Sequence, residues 1–269
     1  MKKEINVLEY KGMKKGINLY FNTCFDYETK LKLIKKYGYD EVFVGLEEDR
    51  EKDFKKLAGL IKDYGFKLTM VHCRYDETIL NNFWKDNEIG EQITNSFIEQ
   101  INICGKYTKN FVAHLHANQD TKQSEIGIER LKRILKECEK YDINFAVENL
   151  YLKSELEYIF NNISHPLLKI CYDVGHLNWS KPKYDMIEEF GKYISVVHLH
   201  DNDGMSDLHN ILGTGTIDVE FLANRFKSFS EKIVLSSEIK YSQPDKPLME
   251  IHLKENFEAL KRLEKLIKK

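Results

Sequence analysis

Eight short apolar segments rich in β-branched residues recur along this chain of 269 residues, and they alternate with stretches of helical periodicity. Most are continuous apolar runs, which is typical of parallel strands covered by helices on their outer face. The pattern therefore predicts an α/β fold, namely a single-domain (β/α)₈ barrel over residues 1–269, with a doubly wound open sheet as the alternative. The predicted strands are INLYF (17–21), EVFVGL (41–46), KLTMVHC (67–73), FVAHLH (111–116), NFAVENL (144–150), KICYDVGH (169–176), SVVHLHD (195–201) and IVLSSEIK (233–240).

The intervening stretches carry helix signals as well as periodicity. Residues 51–65 and 126–141 each place their apolar side chains on one face of a helix. Gly38, Gly65 and Gly105 fall just past helical runs. Because glycine adopts the left-handed conformation at little cost, we expect all three to cap helices in that conformation.

Composition indicates an ordinary globular protein, with 42% apolar residues, 31% charged residues and a net charge of −2. That charge lacks the basic excess typical of nucleic-acid-binding domains. The five cysteines are scattered and form no Cys-x-x-Cys, so we expect buried thiols in a reducing compartment. The first residues contain no apolar signal segment, and no apolar run approaches the ~18 residues of a membrane span. We therefore expect a cytoplasmic protein that does not bind membranes.

Histidine and carboxylate residues stand at the carboxyl ends of six predicted strands. In a (β/α)₈ barrel those ends form one face, where active sites lie. Ionisable groups buried together are costly unless paired, and a shared divalent cation removes that cost. The sequence therefore predicts a metal site, to which a loop Asp-x-His could add ligands. The candidate residues are His72, His114 or His116, Glu148, Asp173, His176, His198, Glu238, and then Asp207 and His209.

Two predicted strands carry a pair of histidines two residues apart, His114 with His116 and His198 with His200. Because side chains alternate along a strand with a period of two, each pair shares a face. Each strand could then supply one metal ligand and one contact to substrate or to another ligand. The residues alone do not rank the members of a pair.

Two glutamates, Glu148 on the fifth strand and Glu238 on the eighth, suit proton transfer next to a cation. One carboxylate can take a proton from carbon while the other returns one. A metal that polarises a neighbouring carbonyl or hydroxyl acidifies the C–H bond and stabilises an enediolate.

The segment LGTGTID (212–218) contains two glycines before a helix expected to begin near Asp218, a plausible N-cap. Backbone amides in such a loop can hold a phosphate. Plain turn geometry is the favoured interpretation of these glycines.

Together these elements resemble the xylose isomerase-like TIM-barrel superfamily, which includes sugar isomerases and epimerases and the endonuclease IV-like abasic-site DNA endonucleases of AP endonuclease family 2. The matching elements are VH ending at His72, VAHLH, VENL, YDVGHLN, VHLHDNDG…DLHNILGTGTID and SSEIK, in the expected order over roughly residues 67–240. They are specific for the superfamily and much less specific for an activity.

In the sugar epimerases of this group, Glu, Asp, His and Glu hold one divalent metal. The resemblance assigns these roles to Glu148, Asp173, His198 and Glu238. It implies that Glu148 and Glu238 also form the catalytic acid/base pair, and that His176 contacts substrate oxygens.

The endonucleases carry more ligands, around three zinc ions. The family histidine of strand four usually precedes Pro-Gly, and here Leu115-His116 follows His114, so the resemblance favours His114 without deciding between the two histidines. All nine residue types have counterparts in this chain: His72, His114, Glu148, Asp173, His176, His198, Asp207, His209 and Glu238.

The favoured function is a divalent-metal-dependent sugar or sugar-phosphate isomerase or epimerase of carbohydrate metabolism, acting on a small-molecule sugar. The expected cofactor is one ion of Zn, Mn, Co or Mg, with ligands for up to three. The alternatives are an abasic-site endonuclease and a barrel that binds sugar or metal without catalysis. The particular sugar, the metal count and any homo-oligomer stay open.

Loop composition weighs against the endonuclease. An enzyme that grips DNA neutralises several phosphates with Lys and Arg, whereas the loop after the second strand, residues 47–53, reads EEDREKD. The loop 73–88 is mixed in sign, and its Tyr75, Phe83 and Trp84 suit a lid over a sugar ring as well as a base-stacking surface. Nucleic acid is therefore not the expected partner.

Overall fold

The computed structural model describes residues 12–46, 53–228 and 233–269. Eight parallel strands form one sheet in the order β7-β6-β5-β4-β3-β2-β1-β8, which confirms the predicted single-domain (β/α)₈ TIM barrel. Most of the acidic loop 47–53 and the first two residues of the predicted helix 51–65 lie outside the described residues. The strands are β1 (Lys15–Asn18), β2 (Glu41–Gly45), β3 (Lys67–His72), β4 (Asn110–Ala113), β5 (Asn144–Glu148), β6 (Leu168–Asp173), β7 (Ile194–His198) and β8 (Leu235–Ser237).

Helices cover the outer face of this sheet. No helix within the described ranges combines the length and the apolar character that crossing a lipid bilayer requires. The helices of the described residues are α1 (Tyr27–Tyr37), α2 (Phe54–Asp63), α3 (Glu88–Cys104), α4 (Glu125–Glu139), α5 (Lys153–Asn162), α6 (Val174–Trp179), α7 (Met186–Phe190), α8 (Val219–Phe226) and α9 (Lys246–Ile267), with 3₁₀ turns at Leu80–Trp84 and Gly191–Tyr193.

Barrel closure places the ends of β7 and β8 side by side. The two strands meet through a parallel bridge between Leu199 and Ser237. The backbone N–H of Leu199 donates to the carbonyl of Ser236 at 2.9 Å, and the N–H of Glu238 donates to the carbonyl of Leu199 at 3.0 Å. Closure therefore brings His198 and Glu238 next to each other.

Glycine caps follow the prediction at two of three positions. Gly38 and Gly65 adopt left-handed φ values of 91° and 82°. Gly105, however, has a right-handed φ of −60°, so the expected left-handed cap is wrong there. A Cβ at Gly105 would lie 2.6 Å from the ring of Tyr141. Glycine is needed at this position because the aromatic ring packs directly on the backbone, not because of an unusual φ.

The sixth predicted strand is shorter than its apolar pattern. β6 ends at Asp173, and α6 begins at the next residue, so His176 lies in a helical turn and not beyond a strand. The carboxylate of Asp173 accepts a hydrogen bond from the backbone N–H of His176 at 2.7 Å. This side-chain cap starts the helix, and a periodicity count does not detect it.

A ring of apolar side chains fills the barrel interior and positions the layer above it. Side chains two residues further along a strand point to the same face. Ala146, for example, is followed two residues later by Glu148, in the same inward direction. The ring consists of Phe43, Met70, Val112, Ala146, Cys171 and Val196, all of them buried, and the residues two positions after the last five are His72, His114, Glu148, Asp173 and His198.

Candidate metal centre

A cavity of about 430 Å³ opens at the carboxyl ends of the strands. We call it the main cavity. Its lining contains seven of the residues predicted as site residues, together with two tyrosines and two basic residues. These are His72, His114, Glu148, His176, Asp207, His209 and Glu238, with Tyr20, Tyr75, Arg74 and Lys240.

Four predicted metal ligands meet beside this cavity. Glu148, Asp173, His198 and Glu238 each offer a ligand atom within 4.8 Å of the other three. The Nδ1 atom of His198 lies 3.0 Å from Glu148 Oε1 and 3.0 Å from Glu238 Oε2. It also lies 3.6 Å from Asp173 Oδ2. Three carboxylates and one imidazole therefore surround one buried point, which is a donor set that suits a divalent cation.

The second oxygen of Glu148 faces two further histidines. Glu148 Oε2 lies 3.1 Å from His72 Nε2 and 3.1 Å from His114 Nε2. These three residues form another group whose ligand atoms lie within 4.8 Å of one another. Glu148 thus stands between two groups of ligands, one on each of its oxygens.

A third group forms around Asp207. Its Oδ2 atom lies 2.8 Å from His209 Nε2 and 3.7 Å from His176 Nε2. His209 adopts a left-handed φ of 51°. That conformation costs a non-glycine residue roughly 1 kcal/mol or more. The bonds of its ring to Asp207 and to the carbonyl of Glu238 hold it there.

Three of the histidines are oriented by backbone carbonyls. The Nδ1 atoms of His72, His176 and His209 lie 3.0 Å from the carbonyls of Cys73, Asn149 and Glu238, respectively. Donation of Nδ1–H to these carbonyls leaves each Nε2 to face a carboxylate. An unprotonated Nε2 and a carboxylate oxygen are both hydrogen-bond acceptors, so they repel each other unless a proton or a cation lies between them. This arrangement is the usual orientation of metal-binding histidines, so the residues present fit a metal.

The charges in the site depend on one another. Burial alone would raise the pKa of Glu148, but His198 and His114 hold that pKa well below its usual range. Burial would likewise raise the pKa of Glu238, but His198 and His209 lower that pKa to well below its usual range. Burial lowers the pKa of His198, yet Cys171 and the two glutamates raise it well above the ordinary value. With its pKa raised, His198 can carry a positive charge that compensates the two glutamates, and a cation can replace that charge.

The paired histidines behave differently on the two strands. His198 contacts the glutamates, whereas His200 Nε2 lies 3.1 Å from Asp173, with its ring stacked on His209 at 4.2 Å. His114 contacts Glu148, whereas His116 stacks on Trp84 at 5.2 Å. Because β4 ends at Ala113, the two-residue alternation expected for His114 and His116 does not continue there. Burial lowers the pKa of His116 to about 3, so its ring is neutral.

Sequence reasoning missed three residues that shape the site. Tyr20 O–H donates to Glu238 Oε1 at 2.5 Å. Gly175 makes room for His200, since a Cβ there would overlap the His200 ring. The side chain of Asn149 pairs with the backbone of Asp173 through bonds of 2.9 and 2.8 Å. Tyr20 lies one residue before the end of the predicted first strand (17–21), so applying the strand-end rule to polar residues of that strand would have found it.

The loop LGTGTID is held by a carboxylate. The N–H groups of Gly213 and Ile217 donate to Asp201 at 2.8 and 3.1 Å. These two amides are therefore committed within the protein, as the favoured turn interpretation requires. Asp218 caps α8 by accepting from the N–H of Phe221 at 2.9 Å, which confirms the predicted helix start.

Comparison with known proteins gives one match to a family model, described as xylose isomerase-like TIM barrel, over residues 24–263. An uncharacterized protein of Methanocaldococcus jannaschii is 27% identical over 141 residues, which is 48% of this chain and 48% of that protein. The match thus spans about half the length of this curated relative.

Solved structures share the fold over nearly the whole chain. A D-tagatose 3-epimerase-like protein superposes with a TM-score of 0.76 and 20% identity, covering 95% of this chain and 98% of that one. D-Psicose 3-epimerase from Clostridium cellulolyticum H10, solved with D-tagatose, gives a TM-score of 0.76 at 14% identity, covering 95% and 99%. At these identities the likeness shows the fold, and the chemistry has to be argued from the site.

Proposed function

This chain belongs to the xylose isomerase-like TIM-barrel family, and we propose that it is a divalent-metal-dependent sugar or sugar-phosphate isomerase or epimerase. The main support is the placement of Glu148 and Glu238. They come from strands three positions apart in the barrel order, yet both carboxylates lie 3.0 Å from His198 Nδ1 and both line the main cavity.

Two carboxylates at one cavity can move a proton off and back onto a substrate carbon. One glutamate removes the proton from a C–H bond next to a carbonyl, and the electron pair passes into the carbonyl as an enediolate. The other glutamate, in its acid form, returns a proton to carbon. Return to the opposite face inverts the carbon. Return to the neighbouring carbon, with passage of the hydroxyl proton to the former carbonyl oxygen, moves the carbonyl.

Glu148, Asp173, His198 and Glu238 would hold a cation in this site. A bound cation would polarise the substrate carbonyl and so acidify the neighbouring C–H bond. The fit rests on the convergence of three carboxylates on one imidazole nitrogen within 4.8 Å. Mixed carboxylate and imidazole donors suit Zn, Mn, Co or Mg.

Two histidines at the cavity are placed to orient the substrate. His176 and His209 have their Nδ1 atoms engaged by backbone carbonyls, and each directs Nε2 toward Asp207. A substrate hydroxyl entering between them can donate to Asp207 and accept from an imidazole N–H. Such contacts hold the reacting carbon in place between the two glutamates.

Exchange of a substrate C–H with solvent deuterium tests this proposal. The metal-loaded protein should catalyse exchange into at least one ketose or aldose of a hexose and pentose panel. Glu148→Gln and Glu238→Gln should each abolish it, because an amide cannot accept the proton. Exchange at the wild-type rate in either variant would show that the two-carboxylate mechanism is wrong.

A matched control for these variants is Glu41→Gln. Glu41 is also a buried strand glutamate, at 1% exposure, but it lies at the start of β2, where it pairs with Lys14 and Thr69. This variant should keep wild-type exchange. If Glu41→Gln lost as much exchange activity as Glu148→Gln, both losses would be explained by impaired folding.

A second candidate function is a metal-dependent phosphodiester hydrolase. The supporting observation is the two additional ligand groups, His72 and His114 on Glu148 Oε2, and His176 and His209 on Asp207. Neighbouring cations can activate water and stabilise a phosphoryl transition state. Elemental analysis that finds about three zinc ions per chain, with nicking of abasic duplex DNA, would establish this function. About one Mn or Co per chain without nicking would remove it.

A further inference from the structure

A cavity of about 430 Å³ lies on the outer side of the barrel, between α6, the loop before α7 and the first turn of α8. We call it the outer cavity. Leu177, Asp185 and Phe221 line it from these three segments. Among the residues that the structure describes, none lines both this cavity and the main cavity. A molecule bound here would therefore be separate from one bound at the metal centre.

Tyr172 lies at the inner end of the outer cavity. Its neighbour Cys171 belongs to the ring of side chains inside the barrel, so the alternation along β6 directs Tyr172 outward. The ring of Tyr172 packs edge to face on that of Phe226 in α8, with 6.1 Å between the ring centres. Tyr172 is only 6% exposed, yet it lines the cavity. The small surface that it keeps therefore faces the cavity.

Two phenol hydroxyls at this cavity lack a hydrogen-bond partner within residues 12–46, 53–228 and 233–269. They belong to Tyr172 and Tyr184, which both line the cavity. Burial, followed by the charges of Tyr184 and Asp185, raises the pKa of Tyr172 well above its ordinary value. The hydroxyl of Tyr172 thus keeps its proton and can donate it. Since buried polar groups are normally paired, a bound molecule is the partner that these donors lack.

The side-chain acceptors nearby already accept hydrogen bonds. Asn178 Oδ1 accepts from Lys183 Nζ at 3.1 Å, and Thr216 Oγ1 accepts from Asn178 Nδ2 at 2.8 Å. Asp185 Oδ1 accepts from two backbone N–H groups of α7, each at 3.1 Å. The lining therefore presents donors to a ligand, and a ligand that satisfies them carries an acceptor such as a carbonyl oxygen.

Charges of both signs surround the outer cavity and balance one another. Lys183, Asp185 and Asp218 line it. Asp185 also lies 2.6 Å from Arg225, and the exposed Glu188, which does not line the cavity, lies 3.5 Å from the same guanidinium. With Arg225 included, two cations stand against two carboxylates at the cavity. A charged ligand of either sign would lie beside a like charge, so these surroundings favour an uncharged one.

Rings and aliphatic side chains form the remaining walls of the cavity. Tyr172, Tyr184 and Phe221 contribute rings, and Leu177 and Leu222 contribute aliphatic surface. Phe221 is 58% exposed, which places a large apolar side chain on the open side. Covering such a surface is favourable. Apolar walls with a few polar groups are typical of small-molecule sites, and ring walls suit a flat aromatic body.

From these observations we propose that the outer cavity is a second small-molecule site, which binds an uncharged aromatic molecule whose acceptor group receives the hydrogen bond of the Tyr172 hydroxyl. Helix α6 presents His176 to the main cavity and Leu177 and Asn178 to the outer cavity. A molecule bound here therefore contacts the helix that carries His176. The site goes beyond the proposed function, because its occupation requires neither a sugar nor a metal.

Three probes of nearly the same shape test the ligand class. Benzamide is uncharged and has a carbonyl acceptor, benzoate is an anion, and benzamidine is a cation without an acceptor. In NMR titrations of the isotope-labelled full chain, benzamide should shift the backbone amides of Leu177, Ile217 and Phe221 saturably. It should bind at least about fivefold tighter than either ion. No saturable shift of these amides, or an ion that binds as tightly as benzamide, would overturn the proposal.

The variant Tyr172→Phe removes the hydroxyl and keeps the ring. Because this hydroxyl has no partner within the described residues, its loss should not lower the free energy of unfolding. Benzamide affinity should fall about three- to tenfold, the usual effect of one lost hydrogen bond. An unchanged affinity would show that the hydroxyl does not hold the ligand and would contradict the proposal.

The matched control is Tyr39→Phe. Tyr39 is also buried, at 5% exposure, but its hydroxyl donates to the carbonyl of Leu253 at 3.1 Å and accepts from Asn256 Nδ2 at 2.8 Å. This variant should lower the free energy of unfolding and leave benzamide affinity unchanged. If both variants weakened benzamide equally, the effect would come from the fold and not from the outer cavity.

A second copy of the chain is the other occupant that the exposed ring of Phe221 could attract. Sedimentation of the wild type and of Phe221→Ser separates the two cases. A monomer, or a dimer that persists in Phe221→Ser, supports an outer cavity open to a small molecule. A dimer that dissociates in Phe221→Ser would place a second copy over the cavity and overturn the proposal. Neither sedimentation nor the titrations depend on deuterium exchange, so this site and the isomerase function can fail separately.

Discussion

Tyr20 and Glu238 are joined by a short hydrogen bond, with the phenol O–H donating to Glu238 Oε1 at 2.5 Å. Glu148, the other proposed acid/base residue, instead faces His72 and His114 with one oxygen and His198 with the other. The two glutamates therefore have different environments. Glu238 has a phenol donor that holds its carboxylate in place, whereas histidine rings surround Glu148.

The bond predicts a specific effect of Tyr20→Phe. Without the hydroxyl, Glu238 loses an orienting donor while the aromatic ring and its packing on Phe43 are kept. We expect the rate of substrate C–H exchange to fall about tenfold, with substrate affinity changed less than about twofold. Parallel measurement of the exchange rate and the binding constant checks this. Equal losses in both would indicate that Tyr20 acts through substrate binding.

The close approach of Gly175 to the ring of His200 predicts that a larger residue at position 175 destabilises the fold next to the metal centre. Gly175→Ala would drive a methyl group into the ring of His200, which is itself buried and bound to Asp173. We expect the free energy of unfolding to fall by about 1–3 kcal/mol, as is usual for overpacked sites. Urea denaturation measures the change.

The control for Gly175→Ala is the same substitution at Gly59. That glycine lies within α2, and a methyl group added there would have no atom within 4 Å. Gly59→Ala should raise stability, by roughly 0.5–1 kcal/mol, because alanine is the better helix former. A loss at Gly59 as large as that at Gly175 would contradict the steric explanation.

Glu155 predicts a pH dependence of stability. Burial raises its pKa to about 7, although the N–H groups of Tyr151 and Leu152, which donate to its carboxylate, oppose the shift. A raised pKa means that the folded protein holds the proton more tightly than the unfolded chain. The stabilisation is therefore fully present below the usual pKa of 4.5 and is lost as pH rises through about 7.

Glu155→Gln isolates this effect, because an amide keeps the acceptor and cannot ionise. Relative to the wild type, the variant should gain roughly 2 kcal/mol between about pH 4.5 and about pH 7.5. Urea denaturation across this range measures the gain. Glu157→Gln, at a residue on the same helix with a side chain 45% exposed, is the control and should show no such trend. A flat difference for Glu155→Gln would mean that Glu155 is not protonated when folded.

Removal of metal predicts a loss of stability that depends on the carboxylates. Without a cation, Glu148, Asp173 and Glu238 rely on histidine protons for compensation. Chelation should lower the thermal midpoint, and added Mn or Zn should restore it, by an amount that grows with metal concentration. A midpoint indifferent to chelator and metal, in protein shown by elemental analysis to lose its ion, would argue against a metal at this position.

The strands, and the positions of residues along each of them, were predictable because they depend on the local pattern of apolar residues. The apolar runs identified all eight strands, and the position of Glu148 near the end of the run at 144–150 already pointed to the carboxyl end of the barrel. The ends of elements were less predictable. Asp173 ends β6 because its side chain caps the helix that follows. Gly105 is required because the ring of Tyr141, a residue distant in sequence, packs on its backbone.

The sequence by itself determined the barrel and the face of it on which the histidines and carboxylates gather. The reason is that the apolar pattern fixes where each strand lies, and the carboxyl ends of all barrel strands form one face. Tertiary structure decided that His114 and not His116 reaches a carboxylate, that His198 and His200 face different carboxylates, and that Tyr20 supports Glu238. These relationships depend on distances between strands remote in sequence, and such distances are set only when the barrel closes.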